Sequence, residues 1–294
     1  TWMRHYGRIR CCPRSAIARQ WGLFLKTILQ RAPQTRRQRK LQLPKSSRAR
    51  QSGTPEPPLR AALYSSEQMQ IHARMLAHQH TVARGRGSNR LLERLSANEQ
   101  ALIDACALLT DAVQRKARIP PAGEWLLDNF FLIQEQIRTA RTHFPKSYSR
   151  LLPCLSEGEL AGTPRVYAIA LDTIAHGDGR IDADGIAGFV GAYQTVTPLQ
   201  IGELWATRTM RGLALIENLR RVAARIADGL TERNLAADWA DQMRAIAEED
   251  PKSLILSTAD MARSGLPMTN AFVAEFARRL QGQSPALALP LTWI

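Results

Sequence analysis

Residues 120–138 read PPAGEWLLDNFFLIQEQIR. A prolyl turn opens the stretch, and proline at the first position of a helix loses an N–H that has no intrahelical partner anyway. The apolar residues that follow recur at helical spacing rather than in strict alternation. Carboxylates, amides and an arginine keep fixed helical offsets among them. The spacing predicts a helix over about 121–142, with Glu124, Asp128, Phe131, Glu135 and Arg138 along one side and Glu135–Arg138 in reach as an i,i+3 pair.

The same texture extends in both directions. Ser65-Ser66-Glu67-Gln68 can form a capping box before a helix to about His80. Leu91, Leu92, Leu95, Leu102, Ile103, Cys106, Leu108, Leu109 and Val113 recur at helical spacing as far as Pro120. Pro164 opens a helix through Ile174, the segment 176–180 breaks it, and Asp182 caps the next helix to about Tyr193. Thr197-Pro198-Leu199-Gln200 reads as N-cap, N1 and N3 of a long helix to about Ala227, with Gly229 as its stop. Thr231, Asp250-Pro251, Met268-Thr269 and Pro285 start four more. Almost nothing reads as a strand. The fold class is all-α, a multi-helix antiparallel array with short connections.

Charge divides the chain differently. Residues 1–58 hold 14 Lys/Arg and a single acid, Glu56, whereas residues 59–294 hold 26 Lys/Arg against 25 acids. The formal charge of +14 therefore belongs to the tail, and the body is balanced. Rich in Arg, Gln, Pro and Ser, residues 1–58 offer little apolar surface to offset ordering entropy, so a disordered basic tail is expected, native or read outside its true frame. No aromatic follows Phe24 there to stack on bases, which argues against nucleic acid. Residues 59–294 form the expected helical module, and both chain ends read as cut from something longer.

Four cysteines, Cys11, Cys12, Cys106 and Cys154, form neither a CxxC nor a Cys/His cluster. Cys106 lies in an apolar helical run, as a small buried hydrophobe would. A reducing cytoplasm fits this usage. No stretch reaches the roughly 18 apolar residues of a membrane span.

Three patterns invite a chemical reading. Asp182-Ala183-Asp184 matches a metal-holding DxD, but at a helix start aspartates cap amides and suit the dipole. Residues 176–185 hint at a calcium loop, yet the register puts Phe189 where the bidentate Glu belongs. The carboxylates of the 121–142 helix could act as an acid/base pair only with a pocket and shifted pKa values, and interhelix links explain them equally well. No metal-spaced histidines stand out. The sequence thus offers no catalytic residue, no metal ligand and no cofactor site. For sugar binding, the candidates are the aromatics Trp125, Tyr148 and Trp205, each expected to be packed rather than exposed.

At these segments the chain resembles the cyclic β-1,2-glucan synthases, very large bacterial inner-membrane glucosyltransferases. The matching stretches are 121–137 (PAGEWLLDNFFLIQEQI), 160–182 (LAGTPRVYAIALDTIAHGDGRID) and 189–222 (FVGAYQTVTPLQIGELWATRTMRGLALIENLRRV). Residues 59–95 and 267–294 fit more weakly, so the likeness covers the body and leaves the tail unmatched. Gly123 stands where the family more often has Ala. The resemblance implies a parent enzyme that uses UDP-glucose to build and cyclise β-1,2-glucan. It also implies a place for this segment on the cytoplasmic face of the inner membrane, before the membrane and transferase domains. Those domains and β-1,2-glucan are the implied partners, and the transferase active site is expected outside this chain. The rival reading is a stand-alone helical binding protein with a basic arm for nucleic acid or anionic lipid.

Overall fold

Residues Ile201–Glu249 form one helix, on the order of 70 Å long at about 1.5 Å per residue. The computed structural model describes residues 56–59, 61–83, 90–144, 148, 150–177, 183–266 and 268–293. Among them are ten α-helices and no strand. In chain order these are α1 (Ser66–Gln79), α2 (Arg90–Gln114), α3 (Pro121–Asp128), α4 (Phe130–His143), α5 (Arg165–His176), α6 (Ala183–Gln194), α7 (Ile201–Glu249), α8 (Leu254–Arg263), α9 (Asn270–Leu280) and α10 (Ala288–Trp293). The all-α reading is borne out.

The long α7 is the spine. Its first half packs against α2, α4 and α5, and its second half against α9. Ala236, Ala240, Met243 and Ala247 recur on one side of that second half, and the small alanines let Phe272, Phe276 and Leu280 of α9 approach closely. Leu254 and Met261 of α8 and Leu287 complete this cluster. Helix α1 lies against α6.

Local signals set most of the boundaries. Ser65 caps α1 with both arms of the box in place: its hydroxyl accepts from the Gln68 amide, and the Gln68 side chain accepts from Ser65 N–H at 2.8 Å. Thr269 caps α9. Asp250 starts the turn Pro251–Ser253 that leads into α8, and Ser284 starts Pro285–Leu287 before α10. Cys106 is buried, and burial pushes its thiol up to about 12.

Three expectations are corrected, and one glycine finds its reason. Gly229 does not stop a helix, because α7 runs through it and the apolar cover from α9 outweighs the roughly 1 kcal/mol propensity penalty of one interior glycine. The start of α7 is Gln200 rather than Thr197: the Glu203 carboxylate accepts from Gln200 N–H at 2.8 Å, and the Gln200 carbonyl accepts from Glu203 N–H at 2.9 Å. The 121–142 helix is broken at Asn129, whose side-chain amide donates to the Trp125 carbonyl at 2.8 Å and so competes with the backbone ladder. Gly123 has a packing reason, since a Cβ there would meet Leu109 Cδ2 at 3.0 Å where α3 crosses α2.

The tail through residue 55 and the Asp182 cap lie outside the described residues. Residues 56–58, grouped by charge with the tail, sit on the helical body. Pro57 C=O accepts from Arg221 Nη1 at 3.1 Å, and the next residue, Leu59, donates its N–H to Asn218 Oδ1 at 2.8 Å.

Candidate functional site

One exposed aromatic surface lies at the first turns of α7. Tyr148 donates its hydroxyl to the Gly202 carbonyl at 2.6 Å, and Trp205 follows Gly202 by one turn on the same side of the helix. Trp205 is 80% exposed, and Ile201 and Leu151 are each 74% exposed beside it in the chain segments that meet here. Arg208 is exposed one further turn along. Burial raises the Tyr148 phenol above its ordinary value, so it stays a neutral donor. An upstanding indole with a phenol and a guanidinium at hand can stack on an apolar sugar face and hydrogen-bond its rim.

Trp125 stands apart. It is 54% exposed and overlooks a cleft of about 220 Å³ between α3 and α7, lined by Ala122, Leu126, Leu219, Val222 and Ile226. That lining is apolar and offers a sugar little to hydrogen-bond. About 25 Å of helix separates it from Trp205, so the fold brings together Tyr148 and Trp205 but not Trp125. The expected packing of the two tryptophans is overturned, because Trp125 follows Glu124 on the outer face of α3 and Trp205 points away from the side of α7 that holds Glu203, Ala206 and Met210.

Below this surface, carboxylates are committed to arginines. Glu203, fully buried, receives Arg165 through two bonds, Nε to Oε1 at 2.6 Å and Nη2 to Oε2 at 2.7 Å. Glu217, 1% exposed, takes hydrogen bonds from Arg94 of α2 at 2.7 and 2.9 Å, from Arg220 at 2.6 Å, from Arg221 at 2.8 Å and from Asn98 at 2.8 Å. Glu56 meets the same cluster through Arg94 and Arg220. Burial pushes the Glu217 carboxyl up, but the Arg94, Arg221 and Arg220 hydrogen bonds reverse this and hold it well below the usual carboxylate range. A carboxylate held ionised and sealed in this way is an anchor, not a general acid. Glu124 and Asp128 are exposed on α3, and Glu135 pairs with Arg138 at 3.1 Å on the surface of α4.

One group of ligand-type side chains converges that the sequence reading set aside. His72 of α1 contacts Asp172 of α5 through Nε2 and Oδ2, and His176, one turn beyond Asp172, has Nε2 at 3.8 Å from Oδ1. The signal available in the chain was the i,i+4 spacing of Asp172 and His176. Its third member lies 100 residues earlier, and only the docking of α1 on this region supplies it.

With this geometry in place, comparison with known proteins is specific. No family model matches the chain. It is similar to the cyclic β-(1,2)-glucan synthase NdvB of Rhizobium meliloti (strain 1021), with 34% identity over 199 residues. The chain is related to the cyclic β-(1,2)-glucan synthases. The relation rests on 67% of this chain and spans 7% of the length of that synthase. It agrees with the family read from residues 121–137, 160–182 and 189–222. No helix among the described residues is long and apolar enough to cross a membrane.

Proposed function

We propose that residues 59–294 are a helical scaffold or regulatory module of a cyclic β-(1,2)-glucan synthase-like glucosyltransferase, and that the Tyr148–Trp205 surface holds glucan while transfer is performed elsewhere. In this reading the parent takes UDP-glucose as donor, the module lies at the cytoplasmic face of the inner membrane, and its partners are the transferase and membrane domains. The observation that carries it is Trp205, 80% exposed beside the Tyr148 hydroxyl. A large indole held in solvent loses the stabilisation that burial would give, which suits a surface covered by a ligand. The paired states of Glu203 and Glu217 support a framework role for those carboxylates.

The test titrates linear β-1,2-glucan oligosaccharides into the 294-residue protein, followed by calorimetry and tryptophan fluorescence. Binding that is lost in Trp205→Ala and kept in Trp125→Ala supports the reading. No saccharide binding, or loss only in Trp125→Ala, overturns the assignment of the surface. Turnover of UDP-glucose by this chain overturns the scaffold role. Steeply salt-dependent binding to nucleic acid or anionic vesicles that vanishes on removal of residues 1–58 favours the basic-arm alternative.

A further inference from the structure

We propose that His72, Asp172 and His176 form a binding site for a single divalent transition-metal ion of the Zn²⁺ type, clamping α1 and residues 61–64 onto the end of α5. The ligand atoms, His72 Nε2, an Asp172 carboxylate oxygen and His176 Nε2, all lie within 4.8 Å of one another. The cluster is well enclosed, with His176 only 9% exposed.

The hydrogen bond behind His176 decides what its other nitrogen presents. His176 Nδ1 lies 2.7 Å from the Ala62 carbonyl oxygen. A carbonyl only accepts, so Nδ1 carries a proton and Nε2 is the nitrogen turned toward Asp172, where the neutral tautomer presents its lone pair. That sets Nε2 and a carboxylate oxygen 3.8 Å apart, with His176 buried and Asp172 half-buried. In the neutral tautomer these two electron-rich atoms face each other, and a metal cation between them satisfies both. A ring N–H fixed by a backbone carbonyl is also the usual outer-shell arrangement of a metal-binding histidine.

Ring packing holds the geometry in place. Tyr64 stacks flat on His176, with centroids 4.0 Å apart and planes at 9°, and meets His72 edge-on at 5.3 Å. Phe189 of α6 lies 6.4 Å from His72 on another side. Backbone bonds from Ala61 N–H to the Ala175 carbonyl (3.0 Å) and from Tyr64 N–H to the His176 carbonyl (3.3 Å) tie the covering segment to the last turn of α5. Those bonds hold the Tyr64 ring against His176 and leave His72, on α1, free to turn.

The donor set selects the ion. Two imidazoles and one carboxylate suit Zn²⁺, Co²⁺ or Ni²⁺ better than Mg²⁺ or Ca²⁺, which prefer oxygen. Bonds of about 2.0–2.1 Å place tetrahedral ligands roughly 3.3 Å apart, so rotation of His72 off the carboxylate and a small closure complete three protein ligands. A water would take the fourth position. The rival occupant is a proton shared along His72–Asp172–His176, which ties the same elements together without metal.

The experiment uses the 294-residue protein, stripped with chelator and titrated with Zn²⁺ by calorimetry and with Co²⁺ by visible absorption. One equivalent bound, a tetrahedral Co²⁺ spectrum without thiolate charge transfer, and a metal-dependent rise in Tm are expected. His72→Gln and Asp172→Asn should weaken binding by more than the loss of an outer-shell partner does, on the order of 100-fold, with His143→Gln on α4 as the unaffected control. Wild-type protein that takes up no metal overturns the proposal in favour of the proton-linked bridge. So does a thiolate-type Co²⁺ spectrum, or binding unchanged in His72→Gln. Because the Co²⁺ spectrum is read on wild-type protein, the proposal stays testable should a variant fail to fold. Saccharide binding at Trp205 is read separately, and neither result decides the other.

Discussion

Arg165 and Glu203 join the first turns of α5 and α7 through two parallel hydrogen bonds, with 6% and 0% of their side chains exposed. Arg165 also donates to the Pro198 carbonyl at 2.9 Å, and Glu203 accepts from the Gln200 N–H at 2.8 Å. One carboxylate thus caps a helix, anchors a guanidinium and fixes the entry angle of the spine. Removing either partner alone strands a buried charge. Arg165→Met and Glu203→Leu are each expected to cost about 3–5 kcal/mol, and the double variant much less than their sum. Denaturant titration of all four proteins measures the coupling, and simple additivity would show that the pair contributes nothing jointly.

His80 reports on the same region. Its Nδ1 lies 2.9 Å from the Tyr193 hydroxyl, with Arg165 beside that tyrosine. Burial lowers the His80 pKa from 6.5, Arg165 adds to this, and Asp172 opposes it. The unfolded chain therefore binds the proton first as pH falls. The contribution of His80 to stability is present in full above 6.5 and is lost on acidification below it. His80→Gln keeps an acceptor for Tyr193 and removes the titration, so its stability should fall less steeply than wild type just below that pH. Parallel slopes in the two proteins would place the proton elsewhere.

What was legible in the sequence follows the range of each interaction. The capping box of Ser65 and Gln68 spans three residues, so its pattern is complete in the chain and the helix starts where expected. The break at Asn129 is equally local, but its signal is an ordinary polar residue in an apolar run, and only the bond to the Trp125 carbonyl distinguishes it. The stop signal at Gly229 is a local preference, whereas the cover supplied by α9 comes from about 40 residues onward in the chain. Nothing in the residues around Trp205 distinguishes a packed from an exposed indole. Its exposure depends on which side of α7 meets α2 and α5. Of the His72–Asp172–His176 cluster, the α5 half was written as an i,i+4 pair and the rest depended on tertiary docking. The arginine partners of Glu217 at 220 and 221 were visible as neighbours, and Arg94 and Asn98 of α2 were not.

The continuity of α7 through Gly229 predicts a stabilising change. A Cβ added there would meet nothing nearer than Arg233 Nη2 at 4.0 Å. Gly229→Ala should therefore gain about 0.5–1 kcal/mol through reduced unfolded-state freedom and better helix propensity. For a domain of this size that corresponds to a rise in Tm of roughly 2–4 °C per kcal/mol. Calorimetric melting checks it, and a lowered Tm would mean that the chain bends at this position.

Glu217 sets the acid limit. Burial alone would raise its carboxyl pKa, but Arg94, Arg221 and Arg220 hold it below its ordinary 4.5. Glu56, in the same cluster, is likewise raised by burial and lowered more by Arg220 and Arg94. For both groups the unfolded chain takes up the proton first, so their stabilisation is complete above 4.5 and disappears as pH falls through the folded values. This window opens at 4.5, below the 6.5 at which that of His80 opens. Glu217→Gln leaves three arginines around a neutral amide and should cost about 3–5 kcal/mol at neutral pH. It should also flatten the step below 4.5, because one of the two groups that titrate there is gone. Urea unfolding at a series of pH values reads both effects. A variant that is destabilised at neutral pH yet keeps the full acid step would assign that step to Glu56 and leave Glu217 a purely structural link.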